Sequence, residues 1–434
     1  MHLPTYLILL ALAQAYPAEA AHSNIFRRAT ESFHKVALKH SAGLARDLRI
    51  AFGGLLVDKR SDHRLVARSS TGQQQCVVSL QGESDGSGSG LGANATSATS
   101  GHASATASAV PSTATKTGSS ATPSSTSAWK VAQNWEGDNF FSGWDFWTLA
   151  DPTNGNVNYL SGSAAASGNL TGINSAGNAY MRVDTTDTVT TNRNSVRITT
   201  EFSFDQGLMI MDAVHMPTGC GTWPAFWTNG PNWPAGGEID IVEGVNDYTN
   251  NQATIHTNPG CNLPSSSSST LGITGTIVGG TNCAAAETGN QGCGVRAVET
   301  NSFGAAFNDA GGGVYAMKLD SSGVSVYFWT RSAIPSDITS GSPDPDSWGT
   351  PMADWPTTDC TTATYFYEQV AIFDTTLCGD WAGTGWDTTG IPGQDQSCAT
   401  RTGVSTCESY VQNHGSSFDE AYWEVKSVKI YQTS

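Results

Sequence analysis

Residues 236–243 read Gly-Gly-Glu-Ile-Asp-Ile-Val-Glu, which puts Glu238, Asp240 and Glu243 into a run that otherwise reads as a buried strand. In a strand, residues two apart share a face. Glu238 and Asp240 therefore point one way and Ile239 the other. Strict alternation would next place Val242 beside the acids and drive Glu243 into the core, where an unpaired carboxylate is costly. A β-bulge at Ile241-Val242 removes the conflict, because two residues then occupy one strand position. Glu243 rejoins the acidic face, and both apolar side chains stay with the core. The stretch thus predicts a bulged strand in a sheet with one apolar and one acidic face.

The sequence around it agrees. From Trp129 onward, 306 residues are rich in Trp, Tyr, Phe and Gly. Runs at 194–204, 207–216, 313–320, 323–329 and 422–431 carry β-branched and aromatic residues with partial alternation. Asp320-Ser321-Ser322-Gly323 reads as a hairpin turn between two of them. Long helical periodicity is absent from the pattern. Short strands with Gly-rich turns indicate an all-β sandwich or barrel, with long loops making up the excess length. One β-sandwich domain is therefore assigned to residues 129–434.

The preceding residues differ. Residues 1–21 carry an apolar run over about Tyr6–Ala15, too short to span a bilayer comfortably, and are read as a signal peptide. Residues 22–60 are basic and end at Lys59-Arg60, as a propeptide would; a basic amphipathic membrane-surface helix is the other reading. Residues 61–128 are assigned as a disordered linker, nearly all Ser, Thr, Ala and Gly from about Gly82 on. Asn94 and Asn169 each begin an N-glycosylation acceptor. Secretion into the extracellular space is expected, with no stable membrane anchor left after signal cleavage. No lipid anchor is expected, because the last residues form no apolar tail.

Charge and cysteines fit that route. From Trp129 on, ten Lys and Arg face 31 Asp and Glu, a balance that repels nucleic acid phosphates. A neutral partner is expected instead, and no feature calls for an oligomer, so a monomer is expected. Eight of the nine cysteines follow Trp129, an even number that allows four disulfides; Cys76 is left over. No CxxC spacing or His partner suggests a metal.

The three acids admit a specific chemistry. With the bulge, Glu238 and Glu243 stand four strand steps apart, roughly 13 Å between Cα atoms. Side chains of about 4 Å reach that lean together bring the carboxylates to about 5–6 Å. Retaining glycosidases need roughly 5–5.5 Å between their acids, and inverting ones about 6.5–9.5 Å. One glutamate can then attack an anomeric carbon while the other protonates the leaving oxygen. Asp240 between them can orient the nucleophile and raise the acid's pKa by its charge. A calcium site or a solvated acidic edge is the structural alternative.

Aromatic residues crowd the flanks. Trp223, Trp227 and Trp233 fall within eleven residues, and flat rings stack on sugar faces. Trp223 is expected in the core and Trp233, among prolines and glycines, over the cleft; Trp227 fits either place. His256, on a neighbouring strand, is placed to bond Glu243 or the leaving sugar, and Trp381 stands beside Cys378 on a loop, where sugar contact and core packing are both open to it.

Together these residues resemble glycoside hydrolase family 16, in its fungal secreted endo-β-1,3(4)-glucanase or laminarinase branch. The resemblance covers 129–434 and centres on Trp-Pro-Ala-Phe-Trp at 223–227 and Trp-Pro-Ala-Gly-Gly-Glu-Ile-Asp-Ile-Val-Glu at 233–243. Ile-His-Thr at 255–257 and Cys-Gly-Asp-Trp-Ala-Gly at 378–383 extend it. It implies a concanavalin-like jelly-roll sandwich with the substrate cleft across its concave sheet. It also implies retaining hydrolysis, with Glu238 as nucleophile, Asp240 as its assistant and Glu243 as general acid/base. Trp227, Trp233 and His256 would line the cleft near the cleaved bond, with no cofactor. Strict 1,3-1,4-glucanases and the chitin–glucan crosslinking enzymes of the family typically have ExDxE, so the extra residue points to the laminarinase branch. The substrate is then a β-glucan such as laminarin. The competing readings are a cell-wall β-glucan transglycosylase and a non-catalytic β-glucan-binding lectin, the latter having no need of both glutamates.

Overall fold

The computed structural model describes residues 127–433. The expected signal peptide, propeptide, Cys76, Asn94 and all but the last two linker residues lie outside this range. Within it, two eight-stranded sheets dominate. One runs, edge to edge, through Ala353–Pro356, Gly323–Thr330, Gly313–Asp320, Gly207–His215, Tyr422–Thr433, Ala179–Arg182 and Thr171–Ile173, with Trp129–Glu136 also paired to Tyr422–Thr433. The other runs through Thr276–Gly279, Cys293–Arg296, Gln252–His256, Glu238–Glu243, Thr222–Asn229, Val370–Leu377, Arg197–Thr200 and Trp144–Phe146. Every pairing in the two sheets is antiparallel. The hairpin expected at Asp320–Gly323 is present, with those two residues paired.

Alternation explains the sandwich. On the second sheet Ile198, Phe226, Ile239, Ile255 and Phe373 turn inward, and Met209, Met211, Met317, Val326 and Val428 of the first sheet meet them in one buried cluster. Each such side chain removed from water stabilises the domain by about 1.5–3 kcal/mol. The residues between them on the second sheet face away from that core. Ala225, Trp227, Val370 and Ile372 form a separate small cluster on that opposite face. This is the face that bears the acids.

Helices are short connectors; the longest in the described residues is Cys407–Asn413. Four disulfides tie the loops, as the cysteine count allowed: Cys220–Cys398, Cys261–Cys360, Cys283–Cys293 and Cys378–Cys407. Asn169 is exposed just beyond the helix Gly162–Ser167, and its Oδ1 accepts from the Tyr180 hydroxyl at 2.6 Å.

Candidate active site

The strand Glu238–Glu243 lies between Thr222–Asn229 and Gln252–His256, and it is bulged. Glu238 pairs with Asn229 and Asp240 with Trp227, but Val242 pairs with Phe226 and Glu243 with Ala225. Ile241 is the residue without a rung. Ile241 and Val242 are both buried in the core, so the register shift leaves Glu243 on the face of Ala225 and Trp227.

A bulge leaves backbone groups unpaired, and a single side chain closes this one. Asn251, wholly buried, accepts from the Glu243 N–H through Oδ1 at 3.0 Å. Its Nδ2 donates to the Ile241 carbonyl at 2.9 Å. Replacing Asn251 by leucine strands both backbone groups, and about 2–4 kcal/mol of stability is expected to be lost. Chemical denaturation of the protein measures this; a loss below about 1 kcal/mol would rule the clamp out.

Trp233 is brought to Glu238 by the turn of residues 230–237. Gly230 N donates to the Gly237 carbonyl at 2.9 Å, and Gly236 N to the Pro231 carbonyl at 3.1 Å. The chain returns on itself so tightly that a Cβ on Gly236 would lie 2.6 Å from the Gly230 carbonyl carbon. Gly237 has φ +75°, which a side chain rarely tolerates. The Trp233 indole N–H, half-buried, donates to Glu238 Oε2.

At the other end Trp223 Nε1 donates to Glu243 Oε1 at 2.8 Å. This corrects the expectation that Trp223 belongs to the core. It is half-buried, and its odd position on Thr222–Asn229 sets it on the face of Ala225 and Trp227. Trp381 packs edge-on to Trp223 at 5.8 Å and to Tyr248 at 6.0 Å. It stands on the turn Gly379–Gly383, immediately after the disulfide-bonded Cys378.

His256 also departs from expectation. It pairs in register with Glu238, and its Nε2 lies 3.4 Å from Asp240 Oδ2, so its partner is Asp240 and not Glu243. Strand geometry is the reason: a side chain reaches its diagonal neighbour more easily than a residue beyond the bulge. Trp227 is 9 % exposed on the acidic face and donates its Nε1–H to Asp374 Oδ1 at 3.0 Å. Asn251 and Asp374 are the parts of the site that lie outside the motif; Trp223 lies within it but was expected in the core.

Two of the acids, Asp240 and Glu243, are held away from their ordinary behaviour. Burial raises the Asp240 carboxyl well above the usual range, and the negative charges of Glu238 and then Asp374 push it further. Burial likewise raises Glu243, with the charge of Asp240 adding to it, while the Trp223 bond and His256 pull the other way. A carboxyl so placed keeps its proton where an ordinary one has lost it, and can deliver that proton to a leaving oxygen. As for metals, Cys220, Asp247 and Cys398 lie together, but the sulfurs are joined and Asp247 is paired with Arg401. They offer no ligand set.

Residues 144–431 match the model of the XgeA-like catalytic domain of glycoside hydrolase family 16. A probable glycosidase of Schizosaccharomyces pombe is 43 % identical over 307 residues, 70 % of this chain and 69 % of that one. The endo-1,3(4)-β-glucanase xgeA of Emericella nidulans is 40 % identical over 312 residues, 71 % of this chain and 48 % of that one. Among solved structures, laminarinase 16A from Phanerochaete chrysosporium, with β-glucans in its donor and acceptor sites, aligns with a TM-score of 0.63 and 39 % identity. It covers 70 % of this chain and 99 % of that one. An elongating family 16 β-1,3-glucosyltransferase aligns with the same score and identity, over 70 % of this chain and all of that one. The sandwich is thus the jelly roll of these enzymes, and the chain belongs to glycoside hydrolase family 16.

Proposed function

We infer that this protein is an endo-acting β-1,3(4)-glucanase that cleaves glucans such as laminarin with retention at the anomeric carbon. One observation carries the reading. The bulge puts Glu238 and Glu243 on one sheet face, and burial raises the Glu243 carboxyl, the direction that favours a general acid. Glu238 attacks the anomeric carbon as Glu243 protonates the leaving oxygen. Glu243 then takes a proton from the water that releases the sugar. Asp240, with His256 against it, orients the nucleophile. Trp227, Trp233, His256 and Trp381 contact the glucan. The names and bound glucans of the relatives support the substrate class. Secretion fits such a polymer substrate, and among the described residues no helix is long and apolar enough to cross a membrane.

Laminarin hydrolysis followed by NMR tests this directly. The first reducing ends are expected as the β-anomer; α-anomer appearing first would overturn retention. Transglycosylation is the second reading, because the aligned glucosyltransferase is as similar to this chain as the laminarinase is. Products longer than the starting oligosaccharide, without new reducing ends, would favour it. Laminarin bound but left intact would favour a lectin.

A further inference from the structure

The acidic face carries a second buried acid that this chemistry leaves unused. The strand Val370–Leu377 is buried along its whole length, and Asp374 stands on it between Ala225 on one neighbour and Arg197 on the other. Asp374 is 7 % exposed. Its Oδ1 accepts from Trp227 Nε1 at 3.0 Å and its Oδ2 from the Tyr159 hydroxyl at 3.3 Å. The Arg197 guanidinium lies 5.1 Å from the Trp227 ring centre and 4.6 Å from that of Trp147. The titratable groups facing Asp374 are therefore Arg197 across the strand pair, Tyr159 and Asp151 from the flank, and Asp240 beyond Trp227.

Packing alone does not account for this set. A buried carboxylate is costly unless its bonds repay the loss of water, and an apolar residue on this strand would avoid the cost. What the carboxylate does here is geometric. Trp227 pairs directly with Asp240, so the position of its ring bears on the centre of the acid cluster. An indole on a sheet face has two free torsions. A hydrogen bond at its edge and a cation on its ring together leave it one orientation.

We propose that Asp374 is a positioning residue of the glucan cleft, holding the Trp227 indole beside Asp240 as the platform for the sugar at the cleaved bond. The proposal rests on the glucanase reading given above. Burial raises Asp374 to about 7 against the pull of Arg197. Its charge therefore changes near neutrality, but the acceptor does not, since the carbonyl oxygen of the neutral acid takes the indole N–H as the carboxylate does. Asparagine mimics that neutral form.

The test is a double-mutant cycle on laminarin hydrolysis by the full secreted chain. Asp374→Leu is expected to lower kcat/KM about 10- to 100-fold through misplacement of the platform, mainly in kcat. Asp374→Asn recovers most of that loss. In a Trp227→Phe background, which has no indole N–H to hold, Asp374→Leu costs less than about threefold more. Losses that simply add, or an asparagine variant as poor as the leucine one, would overturn the proposal. Should Asp374→Leu fail to fold, Asp374→Thr takes its place, with a hydroxyl too short to reach the indole. Wild-type protein that binds laminari-oligosaccharides but leaves them intact would sink the hydrolase reading alone. The same cycle, run on dissociation constants from tryptophan fluorescence, then still tests Asp374. Wild type that neither binds nor cleaves ends both.

Discussion

Glu238→Gln is expected to cut laminarin hydrolysis by at least about four orders of magnitude, as removal of a covalent nucleophile does in other hydrolases. The glutamine has nearly the same shape, and its carbonyl oxygen can still accept from the Trp233 indole. Local structure is therefore expected to survive, and thermal denaturation should report a melting temperature close to that of the wild type. What is lost is the electron pair that forms the bond to the anomeric carbon. A small anion, such as azide, supplied to Glu238→Ala would occupy the vacated position and restore cleavage of an aryl glucoside. Its product would be the α-glycosyl azide, since attack comes from the face the glutamate used. Release of reducing sugar by Glu238→Gln above a few per cent of wild type would remove Glu238 from the nucleophile's role.

On the proposed roles, Glu243→Gln separates the acid from the nucleophile. A positioned general acid contributes about 10²- to 10⁴-fold, so laminarin cleavage should fall by that much. An aryl glucoside whose leaving group needs no proton should still glycosylate the enzyme at near wild-type rate, and then stall. The pH profile is a second readout. Because burial and Asp240 raise Glu243, the wild-type rate is expected to fall as pH rises through that raised value. Glu243→Gln has no such proton to lose, and this part of the alkaline limb should flatten. The sign for stability is the same. A carboxyl whose folded pKa is raised contributes stability that is present below the ordinary carboxylate range and lost as pH climbs through the raised value, at up to about 1.4 kcal/mol per pH unit. The glutamine variant should therefore lose less stability between mildly acidic and neutral pH. Equal loss in both proteins would contradict the raised carboxyl.

The bulge is legible in the sequence because burial rules leave one arrangement that puts Ile239, Ile241 and Val242 inside and three acids outside. The sheets are legible for the same reason, from alternation in runs such as 313–320. Other parts depend on contacts that no local pattern encodes. Eight cysteines permit 105 pairings, and only the fold selects among them. Asn251 sits eight residues beyond Glu243, and nothing in its neighbourhood marks it as the partner of that backbone. Trp223 is misassigned because tryptophan usually packs inside, although its spacing from Trp227 puts both on one face. Asp374 did leave a signal. A single acid within Val370–Leu377, an otherwise apolar-looking strand, asks for a buried partner, and a donor such as an indole N–H is one answer.

The loop from Gly244 to Asn251 joins three parts of the site. Asn251 closes the bulge under Glu243, while Asn246 donates to the Ala382 carbonyl beside Trp381 at 3.3 Å and accepts from Gly221 N at 2.8 Å. One loop thus ties together the acid, the aromatic wall and the start of the strand that carries Trp223 and Trp227. All three bonds run to backbone groups and not to the acids' side chains. Two lineages can share every acid and every tryptophan and still diverge in activity if this loop drifts. What descent has to preserve here is a joint as well as a motif.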